Sequence, residues 1–329
     1  MASILTQKLA GPSVWRGEDI REEDTWTYTL DSFELAALDN SLRRVRTAGL
    51  AFPHFERDDF PLPDMAAQLA WIANYLENGR GFLLLRGLPV DRYSEDDIRI
   101  IYFGLGLHLG SPVSQNRRGD LLGVVMNVGD PNDKNTRVYE TNAYLPYHTD
   151  PSDVVGLLCL RKARDGGLSS LVSIPSVFNR MLERCPQHAE QLYHPVYYAH
   201  LGEALPTLTP LFSYHKGKLA SRYLRQYIEY GHEIMQQPLT HAQREALDAF
   251  DAISQEPDLR LDMMLEPGDL QFANNYTILH SRTRFEDAHS QDERRKMLRL
   301  WLKMPNAREL APDFPGRNGI PPEPRHGAT

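Results

Sequence analysis

Hydrophobic and polar positions change rhythm several times along the chain. In "DSFELAALDNSLRRV", Phe33, Leu35, Leu38 and Leu42 recur at near-helical spacing behind Asp31, an N-cap residue type, so a helix is predicted there. "MAAQLAWIANYLENGRG" (65–81) predicts a second helix, stopped by Gly79 and Gly81. "GFLLLRGLPV" then reads as an apolar strand closing in a Gly-Leu-Pro turn, with a further helix through "SEDDIRIIYFGLGLHLG". From about 121 to 175 the pattern becomes strands separated by turns: "LLGVVMNVGD", "VYETNAYLPYHTD", "VVGLLCLRKARDGG" and "LSSLVSI". Residues 176–260 read as largely helical, and strands return in "MMLEPGDLQFANNYTILHS" and "RRKMLRLWLKM".

Strands, a helical insertion and strands again predict an α+β protein. Its core is expected to be a double-stranded β-helix, a cupin-like jelly roll with flanking helices and a helical insertion. One domain over 1–310 is expected, with the insertion at about 176–260 forming a lid. The Pro- and Gly-rich residues 311–329 read as a loose C-terminal tail.

Composition narrows the functional classes. A net charge of −8 and the lack of a basic stripe argue against nucleic acid, and no window approaches a membrane span. Cys159 and Cys185 provide neither a disulfide framework nor a thiolate metal site, so a reducing, cytoplasmic setting is expected. There is no GxSxG, and "GLGLHLG" lacks the strand-to-helix context of a dinucleotide fingerprint.

The chemistry concentrates at "YLPYHTDPSDVVGLLCL". His148 and Asp150, two positions apart in extended backbone, project from one face roughly 7 Å apart, a spacing that suits two ligands of one metal. Spacing alone is not decisive, because His54 with Glu56 and His188 with Glu190 repeat it. Those pairs fall in a charged loop and in a helix, where i and i+2 diverge. His280, ending a strand in "NNYTILHS", is the candidate second histidine, with an ordinary hydrogen-bonded loop histidine as the alternative. In "RRKMLRLWLKM" the strand period puts Arg295, Met297, Arg299 and Trp301 on one face and Arg294, Lys296, Leu298, Leu300 and Leu302 on the other. If the first face is interior, its guanidiniums need anions, either a bound ligand or structural salt bridges.

From "GFLLLRGLPVDRYSEDD" through "LPYHTDPSDVVGLLCLRKARDGGLSS" and "FSYHKGKLASRYLRQYI" to "PGDLQFANNYTILHSRTRFED" and "RRKMLRLWL", the chain resembles a known family. These are the Fe(II)/2-oxoglutarate-dependent oxygenases of the taurine dioxygenase (TauD/TfdA, clavaminate synthase-like) group. The resemblance implies a non-haem iron enzyme that consumes O2 and 2-oxoglutarate, releases succinate and CO2, and oxidises a C–H bond. Hydroxylation is the usual outcome, with desaturation or cyclisation as others. It implies iron ligands His148, Asp150 and His280, and Arg295 for the distal carboxylate of 2-oxoglutarate. A small hydroxyl residue after the Gly-Gly turn, Ser169 in "GGLSS" with Ser170 as second choice, is implied to help bind 2-oxoglutarate. Arg299 is implied to contact an acidic group of the substrate or to support the cosubstrate. Asn142 and Tyr144, before the metal pair, and Phe212, in the lid, are candidate substrate contacts. The expected partner is a small, carboxylate-bearing molecule; assembly as a homo-oligomer and the reach of Arg282 and Arg284 are left open. The competing reading is a jelly-roll metabolite-binding protein that has lost turnover.

Overall fold

The computed structural model describes residues 3–129 and 140–323. Two β-sheets face each other. The larger runs in the order Thr27–Thr29, Phe82–Arg86, Leu270–Asn274, Val154–Arg161, Lys296–Lys303 and Ser111–Pro112, with Leu122–Val125 also paired to Lys296–Lys303. The smaller has the order Arg260–Met263, Ser169–Ser173, Ile278–Arg282 and Leu145–His148, all antiparallel. Neighbours in each sheet come from distant parts of the chain, as in a jelly roll.

The two-residue period of the strands sorts their side chains into layers. Phe82, Leu84, Val155, Cys159, Met297 and Trp301 of the large sheet meet Leu171, Leu261, Met263 and Ile278 of the small one in the inter-sheet core. The alternate residues Leu83, Leu85, Leu158, Leu298, Leu300 and Leu302 turn outward against helices Ser32–Thr47, Ala66–Asn78 and Glu95–Leu109. A Cβ on Gly104 or Gly106 would run into the Phe60 ring or Leu300, so the glycines of "GLGLHLG" let that helix lie close to its neighbours. The first of these helices starts at a capping box formed by Asp31 and Glu34. Its inward face is Ala37, Leu38, Leu42 and Val45, while Phe33 is 83% exposed and does not belong to it.

Two expectations need correction. The insertion is not largely helical. Besides helices Ile174–Arg184, Pro186–Gln191, Arg225–Ile234 and His241–Ser254, it contains the hairpins Val196–Tyr198/Thr207–Thr209 and Phe212–His215/Lys218–Ser221. The second turns on Lys216 and Gly217, both with positive φ, the backbone of a two-residue type I′ hairpin. Nor are residues 311–323 a loose tail. Ala311, Phe314 and Ile320 are buried, and the backbone N–H groups of Gly319 and Ile320 donate to the carbonyls of Pro151 and Ser114. Three scattered apolar anchors give no periodic signal, so composition alone misreads the segment. Among the described residues, no helix is long and apolar enough to cross a membrane.

Candidate metal centre and its two cavities

Strands Leu145–His148 and Ile278–Arg282 pair so that His280 stands directly opposite His148. Their rings lie 4.2 Å apart between centroids. Asp150 follows two residues after the strand, where its backbone N–H donates to Asn275 Oδ1 at 2.9 Å and fixes the turn. One ligating atom from each of the three residues lies within 4.8 Å of the others, and all three residues are buried.

The protonation states suit a cation. The Nδ1–H of His148 donates to the Pro146 carbonyl at 2.8 Å, which leaves the Nε2 lone pair free to ligate. His280 Nε2 is buried without a hydrogen-bond partner and sits 3.8 Å from Asp150 Oδ2. Burial lowers the pKa of both imidazoles, that of His280 to about 3, so both are neutral at physiological pH. Burial pushes the Asp150 carboxyl up, but Arg299 first, then the histidines and Trp301, outweigh it and hold it below its ordinary value. Two neutral imidazoles, one carboxylate and an orphaned buried nitrogen fit a divalent metal of the two-histidine, one-carboxylate type.

Trp301 and Arg299 orient the carboxylate. The Trp301 indole N–H donates to Asp150 Oδ2 at 2.9 Å, and an Arg299 terminal nitrogen lies 3.6 Å from Oδ1. Arg299 stacks 4.5 Å over the Trp301 ring and donates from Nε to Gln115 Oε1 at 2.9 Å. Gln115 returns a bond of 2.7 Å from its amide to the Arg299 carbonyl.

His148, Asp150 and Arg299, with Leu145, line both of two cavities. The inner one, about 40 Å³, is lined by Ser169, Arg282, Arg295 and Met297 with apolar Val125 and Leu157. Arg295 is 4% exposed; one terminal nitrogen has no partner and the other meets the Met297 sulfur at 3.4 Å. Burial lowers its pKa to about 10, so it remains a cation at physiological pH. The outer cavity, about 580 Å³, is lined by Tyr198, His200, Arg222, Tyr227, Tyr230 and Arg317, among others.

The model of the family described as taurine catabolism dioxygenase TauD, TfdA family matches residues 47–301. The chain belongs to the TauD/TfdA family. FR-33289 synthase of Streptomyces rubellomurinus is 32% identical over 320 residues, covering 94% of each chain. Among solved structures, asparagine oxygenase in complex with Fe(II), 2S,3S-3-hydroxyasparagine and succinate aligns with a TM-score of 0.67 at 18% identity. That alignment covers 84% of this chain and 93% of the other. The iron oxygenase OrfP in complex with Fe and alpha-ketoglutaric acid aligns at 0.61 with 18% identity, over 84% and 94%. At such identity these structures establish the fold, the double-stranded β-helix. As a TauD/TfdA member, the protein is an oxidoreductase, a dioxygenase using Fe(II), 2-oxoglutarate and O2.

The candidate metal centre brings some of the sequence candidates together and leaves others outside it. His148, Asp150, His280, Ser169, Arg295 and Arg299 all line the inner cavity. Ser169 Oγ donates to Gln271 Oε1 at 2.9 Å, whereas Ser170 turns to Tyr147 and Asp262. His54 and Glu56 are exposed, and His188 lies on a short helix away from the centre. Phe212 is fully buried against Phe178, Tyr193 and Phe250 in the insertion and lines neither cavity, so it is a packing residue rather than a substrate contact. Asn142 and the 43%-exposed Tyr144 also line neither cavity, although Leu145 lines both: the strand alternates, and the turn before it carries them outward. Arg282 reaches the inner cavity, while Arg284 is exposed. Trp301 carries a visible signal, the shared face with Arg295 and Arg299. Asn275, Gln115 and Arg222 carry none, since each reaches the site from a remote segment.

Proposed function

We propose that His148, Asp150 and His280 hold Fe(II), that Arg295 and Ser169 receive the distal carboxylate of 2-oxoglutarate, and that the outer cavity presents a small anionic substrate for C–H hydroxylation. The buried, unpartnered Nε2 of His280 beside His148 and Asp150 is the observation that carries this reading. Bound there, iron supplies the coupling of O2 reduction and 2-oxoglutarate decarboxylation, giving succinate and CO2, to oxidation of a substrate C–H bond.

The chain's own groups divide the remaining work. Trp301 and Arg299 keep the Asp150 carboxylate ionised, and Asn275, accepting the Asp150 backbone N–H, fixes the turn that carries it beside the two histidines. Arg295 has no carboxylate at ion-pair distance among the described residues, so an incoming carboxylate meets an available donor in an apolar enclosure. Around the outer cavity the three guanidiniums of Arg222, Arg299 and Arg317 face two carboxylates, Asp150 and Glu203. The excess of positive charge favours an anionic substrate, and Tyr198, Tyr227 and Tyr230 supply amphipathic walls for its carbon skeleton.

The test is anaerobic addition of Fe(II) and then 2-oxoglutarate to the apoprotein, watching for the visible charge-transfer band of the chelate. A band requiring both additions is expected, and succinate release then screens carboxylic, phosphonic and sulfonic acids as substrates. Iron binding without a band would overturn the assignment.

A further inference from the structure

The inner cavity holds a second arginine that the proposed function leaves unused. Arg282, last residue of the strand Ile278–Arg282, is 4% exposed and lines the cavity with Arg295. One terminal nitrogen donates to the carbonyls of Thr141 at 2.9 Å and Ala143 at 2.6 Å. Its Nε and its other terminal nitrogen have no hydrogen-bond partner. Both guanidiniums lie against one ring, Phe285, at 4.7 Å for Arg282 and 5.2 Å for Arg295.

Two buried guanidiniums in one small enclosure are costly, because neither can shed its charge as readily as a lysine or histidine. Asp287 offsets part of this: its field reaches both arginines, and its carboxylate accepts the backbone N–H of Arg295 at 2.9 Å. Arg299, the third guanidinium of the lining, has Asp150 beside it at 3.6 Å, so Arg282 and Arg295 are left with Asp287 alone, one negative charge short. A single incoming carboxylate makes up the difference.

We propose that Arg282 is a second anchor for the distal carboxylate of 2-oxoglutarate, sharing that anion with Arg295. This rests on the proposed function. The same side chain holds Thr141 and Ala143, in the turn that leads into the metal strand Leu145–His148. Filling the inner cavity therefore steadies the approach to His148 through one guanidinium, and the cavity selects 2-oxo acids that carry a distal negative charge.

The experiment compares 2-oxoglutarate with 2-oxopentanoate, which keeps the chelating end and has a methyl group in place of the distal carboxylate. Each is titrated anaerobically into Fe(II)-loaded wild type, Arg282→Gln, Arg282→Lys and Arg295→Met, reading the charge-transfer band and the ligand-induced shift in Tm. The glutamine amide still offers a donor to the Thr141 and Ala143 carbonyls, so Arg282→Gln removes charge while sparing the turn. It is expected to weaken 2-oxoglutarate by about 10-fold or more, the scale of a lost charge-assisted hydrogen bond, with little change for 2-oxopentanoate. Arg282→Lys should recover part of the loss, and iron affinity should stay at its wild-type value in both variants. If both Arg282 variants keep the wild-type preference between the two acids, or weaken both acids equally, Arg282 only braces the turn and the proposal falls. A wild type that binds iron and forms no band with 2-oxoglutarate overturns the proposed function itself, a result separate from the behaviour of the variants.

Discussion

Replacing Trp301 by phenylalanine removes one donor from the Asp150 carboxylate while keeping an aromatic ring in the inter-sheet core. Trp301 is 2% exposed, and its indole N–H meets Asp150 Oδ2 at 2.9 Å. A hydrogen bond to a charged group contributes roughly 1.5–3 kcal/mol, and loss of a group that hydrogen-bonds a metal ligand typically lowers metal affinity about 10- to 100-fold. Arg299 remains 3.6 Å from Oδ1 and Asn275 still fixes the turn, so the lower end applies. Iron affinity should fall about 10-fold, equivalent to about 1.4 kcal/mol. The smaller ring also leaves a void, which costs stability by about 1–3 kcal/mol and appears separately as a lower Tm. With one donor fewer, the Asp150 carboxyl is held down less firmly. Proton competition then begins at a higher pH, and iron binding is lost earlier on acidification than in the wild type. The assay is anaerobic Fe(II) titration of the apoprotein against a competing chelator at several pH values, with thermal unfolding in parallel. A lower Tm with unchanged iron affinity and an unchanged pH midpoint would refute the role assigned to the indole N–H.

Other perturbations separate the parts of the site. His280→Ala should abolish iron binding, whereas Arg295→Ala should leave iron bound and weaken 2-oxoglutarate by roughly 100-fold or more, the scale of a buried charge pair broken on one side; equal loss of iron in both would count against the division of roles. His280 has its pKa depressed to about 3, whereas in the unfolded chain it takes a proton near its ordinary 6.5. Between these values the unfolded state binds more protons, so His280 makes the apoprotein lose up to about 1.4 kcal/mol of stability per unit as pH falls through that window. Denaturant titrations from pH 7 to 4.5 should show this slope, shallower in His280→Asn; identical slopes would exclude the effect. Phe212→Ala should cost about 3–5 kcal/mol of stability through the aromatic cluster of the insertion. Its 2-oxoglutarate affinity should be unchanged, and a stable Phe212→Ala protein with altered substrate affinity would restore the substrate contact rejected above.

What the sequence determined by itself follows from local geometry. Extended backbone alternates faces every residue, so "RRKMLRLWL" already commits Arg295, Met297, Arg299 and Trp301 to one side and the leucines to the other. The same rule places His148 and Asp150 together, and motifs spread from "GFLLLRGLPV" to "RRKMLRLWL" carry the family resemblance, which no single spacing does. Tertiary structure decided the rest. Strand register sets His280 opposite His148 and leaves its Nε2 without a partner, and no local pattern encodes a pairing between segments so distant. Sheet closure turns Arg282 inward beside Arg295 and leaves Arg284 at the surface. Packing, not composition, brings Arg317 and Ile320 of the C-terminal segment to the outer cavity and takes Phe212 away from it. A side chain's direction follows from its neighbours in the chain, but its partner depends on which remote strand lies across from it.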